Sequence, residues 1–147
     1  MRLSHIIGII AGAVILLSVT TLILIKKPKK LKADRFMASW KELQCYCKDK
    51  STWPNAVLQA DKLFDAALKK RKLKGKTMGA RMVSAQRLLS DNDAVWSAHN
   101  LAKKITKDAT YNLKESDVKA ALMGFRQALK DIGAFPAATV EQEKKQV

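Results

Sequence analysis

The chain has 147 residues, of which 28 are Lys or Arg and 13 are Asp or Glu, and its formal net charge is +15. The length beyond an amino-terminal apolar run allows one domain with a modest core. The only two cysteines, Cys45 and Cys47, lie two residues apart on a predicted helix, which excludes a disulfide-rich scaffold and favours reduced thiols.

The first feature in chain order is the apolar run at residues 6–25, which contains no charge. A helix of that length covers about 30 Å, the thickness of a bilayer's hydrocarbon core. The sequence therefore predicts a transmembrane helix, with residues 1–25 forming a short tail and the span. A cleaved signal peptide fits less well, because its apolar region would be shorter and would follow its positive charge. Gly8 and Gly12 have the G-x-x-x-G spacing of pairing helices, which leaves a homodimer open.

The charges that flank this run predict its direction. Only Arg2 and His5 precede it, whereas a basic juxtamembrane linker at residues 26–33 follows it. Flanking cations stay on the cytoplasmic side, so we expect a single-pass inner-membrane protein with its amino terminus outside and residues 26–147 in the cytoplasm. The lysines of this linker are predicted to lie on the membrane surface against anionic lipid head groups. The same residues would also be needed if they served only to fix the topology. They are Lys26, Lys27, Lys29, Lys30 and Lys32.

Beyond the linker, apolar residues recur at steps of three and four, the period of amphipathic helices. Helices are predicted at about 34–48, 53–72, 77–90, 93–107 and 114–132, within a domain at 34–135 that precedes a flexible tail at 136–147. Asp34, Asp91 and Asp93 are predicted to cap helices, and Gly133 is predicted to end the last one. No stretch outside the apolar run alternates at period two. The predicted fold class is therefore all-α, an N-terminal transmembrane helix followed by a compact four- to five-helix bundle. The predicted core positions are Phe36, Trp40, Leu43, Cys47, Val57, Ala60, Phe64, Ala67, Leu68, Met78, Met82, Ala85, Leu89, Val95, Trp96, Leu101, Ile105, Val118, Leu122, Phe125, Leu129 and Ile132.

Basic residues cluster where the second predicted helix ends. Cations stabilise the carboxyl end of a helix, which explains part of this cluster. The basic run nevertheless continues to Arg81 and Arg87, with no acid between Asp65 and Asp91. We predict that this run and a patch on the fourth helix bind an acidic protein, RNA or anionic lipid. Aromatic residues for base stacking are scarce, which disfavours RNA. The predicted partner-binding residues are Lys69, Lys70, Arg71, Lys72, Lys74, Lys76, Lys103, Lys104 and Lys107.

Residues 75–77, Gly-Lys-Thr, resemble the end of a phosphate-binding loop. The match fails because Lys70 stands where the first glycine is needed, so a turn followed by Thr77 as a helix cap explains them better. Cys45, Cys47 and His99 have poor spacing for a metal site, and we predict neither a metal nor a cofactor.

Two acids and one histidine remain as candidates for chemistry. Asp61 and Asp65, four apart on one helix face, are predicted to be solvated partners of nearby lysines. His99 is the only histidine after the apolar run, and a lone helical histidine is more often an ordinary hydrogen-bonded residue than a base.

Three segments and the closing helix resemble small bacterial helical proteins related to the HEPN superfamily: WPNAVLQADKLFDAALK from position 53, GKTMGARMVSAQ from 75 and DAVWSAHNLAKKITKD from 93. Active HEPN ribonucleases use the Arg and His of an R-x4-6-H motif, usually in a dimer. Where the related helix reads L-R-N-x-x-x-H, this chain has Ala102, Lys103 and Lys107. The resemblance therefore implies a catalytically silent copy that lacks both the arginine and the base.

Two functions follow as expectations. The first is a non-enzymatic interaction module, anchored in the membrane, whose cytoplasmic bundle binds an acidic partner. The alternative is a membrane-tethered ribonuclease of HEPN type that uses His99 and neighbouring lysines.

Overall fold

The computed structural model describes residues 2–25 and 31–136, and in the first range it describes side chains only at 7–18. The predicted membrane-surface residues Lys26, Lys27, Lys29 and Lys30, and the tail beyond residue 136, lie outside the described residues. Every regular element within the described ranges is helical, which confirms the all-α class. The helices are α1 (Arg2–Ile25), α2 (Ala33–Gln44), α3 (Trp53–Lys70), α4 (Met78–Ala85), α5 (Asn92–Lys107) and α6 (Glu115–Asp131), with 3₁₀ turns at Cys45–Cys47 and Lys50–Thr52.

The helix α1 carries the apolar run. Its large apolar side chains at positions 7–17 are all more than half exposed, on every side of the helix rather than along one stripe. Among the residues that the structure describes, no helix is both long enough and apolar enough to cross a membrane. The predicted span at 6–25 extends past the described side chains at both of its ends.

The remaining helices, α2 to α6, form the predicted bundle around α3. This helix contacts each of the other four. Ala56, Ala60 and Ala67 are fully buried along it, and their small side chains let the neighbouring helices approach closely. Phe64 of α3 packs against Phe125 of α6 with ring centroids 6.1 Å apart, which places the two largest fully buried side chains at the middle of the bundle.

The predicted core is largely confirmed. Most of the predicted positions on α2, α3, α4 and α6 are buried. The buried stripe of α5 differs, because Ala98 and Ala102 are buried while Trp96 and Leu101 are only partly covered. Cys47 is also only half-buried, because α2 gives way to a 3₁₀ turn before reaching it.

The helix ends test the predicted caps. Thr77 accepts from Ala80 N at 3.2 Å and Asp91 accepts from Ala94 N at 2.9 Å, so both caps are confirmed. Gly133 has φ +77° just past α6 and confirms the predicted stop. The cap predicted at Asp34 is wrong, because α2 begins at Ala33 and no side chain caps it. The third predicted helix is also shorter than expected, since α4 ends at 85 rather than near 90.

The crossing of α5 and α6 depends on a glycine. A Cβ added to Gly124 would lie 2.9 Å from Ala94 O, a backbone atom that cannot move aside cheaply. Gly79, in α4, has room for a methyl group, with the nearest atom, on the ring of Trp96, at 3.5 Å. The two glycines therefore form a matched pair for testing the crossing.

We predict that Gly124→Ala lowers the free energy of unfolding by about 1 to 2 kcal/mol, because overpacking outweighs the gain in helix propensity. Gly79→Ala should leave it unchanged or raise it by up to about 1 kcal/mol. Urea unfolding of the full chain, followed by tryptophan fluorescence, measures both. Equal effects of the two substitutions would contradict the close crossing.

Candidate functional site

The basic turn, residues 69–76, joins α3 to the segment before α4. The backbone amide of Leu73 donates to Leu68 O at 3.2 Å across the end of α3. This hydrogen bond requires a left-handed residue, and the position is held by Lys72, with φ 58°, rather than by the usual glycine. The turn therefore exposes a lysine at a position of backbone strain.

Two side chains of α4 hold the rest of the basic turn. Arg81 donates through Nη1 to Gly75 O at 2.8 Å, and Ser84 Oγ donates to Lys74 O at 2.6 Å. At Gly75 φ is +147°, and a Cβ there would lie 2.5 Å from Arg81 N. Only glycine allows this contact, so the backbone of the turn is fixed against α4. The lysines of the turn therefore project from a backbone of fixed conformation.

The same Arg81 ties α4 to α3. Its Nε and Nη2 atoms donate to Asp65 Oδ1 at 2.9 and 2.6 Å. Arg81 is only 7% exposed. Burial alone raises the pKa of Asp65, but the hydrogen bonds and charges of Lys69 and Arg81 outweigh it and hold that pKa below its ordinary value. Asp65 is therefore ionised at neutral pH and neutralises cations of the basic run.

These contacts confirm a lysine partner for Asp65 and correct the rest of the prediction for the two acids of α3. Asp65 is not simply solvated, because it binds the buried Arg81 as well as Lys69, whose Nζ lies 2.8 Å from Oδ2. Asp61 lies 2.8 Å from His99 Nδ1 of α5, and among the described residues it forms no ion pair with a lysine. Arg81 is thus a structural cation rather than part of the free basic run, and Lys69 is partly neutralised.

His99 is hydrogen-bonded, as predicted. Its side chain is 12% exposed and its ring meets that of Trp96 edge to face, with centroids 6.2 Å apart. The four cavities described in the bundle are lined by other residues. The Asp61 to His99 contact joins α3 to α5 near the middle of the bundle.

The two predicted basic patches lie at opposite ends of the bundle. Pro54, near the start of α3, lines a cavity with Thr110 and Tyr111, which follow α5, so α3 and α5 run antiparallel. The helix α3, with 18 residues, is about 27 Å long. The distal lysines, Lys103, Lys104 and Lys107, therefore do not share a surface with the basic turn.

The basic turn instead meets the segment where the chain enters the bundle. Leu31, Lys32 and Arg35 line one cavity together with Lys70, because α2 packs antiparallel to α3. Of the predicted membrane-surface lysines, Lys32 is the one that is described, and it is exposed. Sequence analysis missed Arg35, whose only signal was its three-residue spacing from Lys32. It also missed the pairing of Asp65 with Arg81, which no local pattern could indicate across sixteen residues.

Within residues 2–25 and 31–136, no group of three His, Cys, Asp or Glu side chains could hold a metal ion. No protein-family model matches the chain, and no curated protein or solved structure matches it.

The ion pair between Asp65 and Arg81 is open to a double-mutant cycle. We predict that Arg81→Met lowers the free energy of unfolding by about 2 to 3 kcal/mol, because it leaves a half-buried carboxylate without its main partner. In an Asp65→Asn background the same substitution should cost roughly 1 to 2 kcal/mol less. Urea unfolding of the four chains gives the coupling, and purely additive effects would contradict it.

The same pair predicts a pH dependence. The folded pKa of Asp65 lies below its unfolded value of about 3.9, so its contribution to stability is complete above that pH and is lost as pH falls through the folded pKa. The stability of the natural chain should therefore drop more steeply below about pH 4 than that of Asp65→Asn. Parallel acid-side slopes for the two proteins would show that Asp65 does not titrate as described.

Proposed function

We propose that this protein is a single-pass, membrane-anchored, non-enzymatic module whose cytoplasmic bundle binds an anionic partner through its basic turn. The anchor is the apolar run at 6–25, and the exposure of apolar side chains on every side of α1 supports an apolar surrounding for it. Head groups of anionic lipid are the partner that fits best, because the membrane holds them beside the bundle.

One observation carries this proposal. The chain enters the bundle at Leu31. There, Lys32 and Arg35, at the start of α2, lie beside Lys70 of the basic turn. From the end of α1 at Ile25 the chain spans at most about 20 Å to reach Leu31. A bundle tethered so closely would present this basic end, rather than the distal lysines, to the lipid surface.

The charges near this end favour anions. Lys70, Lys72, Lys74 and Lys76 are exposed. Asp65 already binds Arg81 and Lys69, which leaves Asp34 as the exposed acid near the start of α2. Lys72 carries its exposed charge at a left-handed position, where lysine costs about 1 kcal/mol more than glycine would.

Vesicle binding by residues 31–136 tests the proposal. We predict association with vesicles that contain phosphatidylglycerol and little with pure phosphatidylcholine, weakening steeply as salt rises. Reversing three charges of the basic turn, with Lys70→Glu, Lys72→Glu and Lys74→Glu together, should reduce the association constant by roughly a hundredfold or more. Co-sedimentation across a salt titration measures this.

The distal lysines provide the matched control. Lys103→Glu, Lys104→Glu and Lys107→Glu change the net charge by the same amount at the other end of the bundle, and we expect less than about a fivefold loss from them. Equal losses in the two triple variants would show that only net charge matters. An affinity that does not change with salt would remove the electrostatic account altogether.

The alternative, a HEPN-type ribonuclease, has one observation in its favour. Asp61 holds His99 through Nδ1, as a carboxylate orients a general base in hydrolases. Ala102, where the related motif has arginine, is 2% exposed and faces the core. Cleavage of RNA by the purified chain that is lost in His99→Ala would favour the ribonuclease, whereas no cleavage by either is expected for a binding module.

A further inference from the structure

The cleft between the start of α2 and the end of α3 combines an apolar floor with a basic rim. Its volume is about 390 Å³, within the range of roughly 300 to 1,000 Å³ that is common for small-molecule sites. Phe36 and Leu63 belong to its apolar part, together with Leu31 and Ala66. Lys32, Arg35 and Lys70 supply the charge, and none of the described residues that line the cleft is acidic.

The spacing of residues on each helix separates the charged part of the cleft from its apolar part. On α3, Leu63, Ala66 and Lys70 follow one another at steps of three and four, so they share a face and the cation comes last. On α2 the order is reversed, because that helix runs antiparallel, and its cations come first. The cations therefore lie at the end near the linker, beside Leu31, and the other apolar side chains lie further inside.

Small side chains create the space. Ala66 is exposed on α3 and Ser39 lies opposite on α2, and both line the cleft. The groove between α2 and α3 continues past Ser39 and Leu63 into a second cavity, which is lined by Glu42, Lys62 and Tyr46. The uncompensated positive charge is thus confined to the end near the linker.

We infer that this cleft binds one anionic phospholipid of the membrane, with an acyl chain on the apolar floor and the phosphate between Lys32, Arg35 and Lys70. The inference rests on the proposed function, because the anchor brings this end of the bundle to the bilayer. An apolar chain joined to a phosphate complements the cleft in both parts, whereas an acidic peptide would leave the floor without an apolar partner.

Photocrosslinking of the full chain in phosphatidylcholine nanodiscs tests the inference. The probe is phosphatidylglycerol with a diazirine in one acyl chain, and adducts are located by peptide mass spectrometry. We expect adducts on the peptides of α1 and also on those that contain Phe36 and Leu63. A phosphatidylcholine probe with the same diazirine should label α1 equally and the cleft at least about tenfold less.

Two variants examine the two parts of the cleft. Ala66→Trp fills the floor from an exposed position and should reduce cleft adducts by about tenfold, while α1 adducts remain. Arg35→Gln with Lys70→Gln removes two rim charges from exposed positions and should reduce them similarly. Ala120→Trp, at an exposed alanine that lines the cavity between α5 and α6, is the control and should change nothing.

The outcomes separate this inference from the proposed function. Labelling confined to α1, equal cleft labelling by both probes, or unchanged labelling in Ala66→Trp would overturn the lipid site while the anchor stands. If neither probe labels α1, the membrane anchor itself fails, and the lipid site fails with it. Should Ala66→Trp unfold, the doubly neutralised variant decides alone, and unchanged labelling in it overturns the site.

Discussion

The ion pair between Asp65 and Arg81 is the interaction on which the basic end of the bundle depends. Arg81 is almost fully buried, and its guanidinium binds a carboxylate of α3 and the carbonyl of Gly75 at the same time. A buried arginine needs such partners, because an unpaired charge in that position would cost several kcal/mol. By satisfying it, the chain fixes how the basic turn runs at Gly75 and how α4 packs against α3.

The topology then determines which charges can act together. Since α2 and α3 are antiparallel neighbours, the point where the chain enters the bundle lies beside the point where α3 ends. Lys32 and Arg35 therefore share one end of the bundle with the basic turn, which lies about forty residues further along the sequence. The distal lysines belong to the other end, and the pairing of Asp61 with His99 lies between the two.

Much of the fold could be predicted because its signals are local. Periods of three and four gave the helices and most of the core, and Thr77, Asp91 and Gly133 ended or began helices as expected. The shift of the buried stripe on α5 could not be predicted. Alanine fits both core and surface, so Ala98 and Ala102 gave no signal, and packing against α3 and α6 decided which face was buried.

The candidate site was less predictable, because its defining contacts are long-range. The sequence placed the cations correctly at the end of α3 but treated Arg81 as one more of them. It treated both acids as solvated partners of lysines, and of the two only Asp65 is seen to pair with one, Lys69. Nothing in the local pattern indicates that Asp65 pairs with a residue sixteen positions away or that Asp61 pairs with one thirty-eight away. Likewise, the meeting of Arg35 with Lys70 depends on the antiparallel packing of two helices.

The most direct test of the account is the depth of each end of the bundle at an anionic bilayer. A fluorophore on a single cysteine at position 74 or at position 107, in a full chain carrying Cys45→Ser and Cys47→Ser, would be quenched by nitroxide on lipid head groups in nanodiscs. The account predicts strong quenching at 74 and weak quenching at 107, with the difference decreasing at high salt. Equal quenching at the two positions, or stronger quenching at 107, would contradict it.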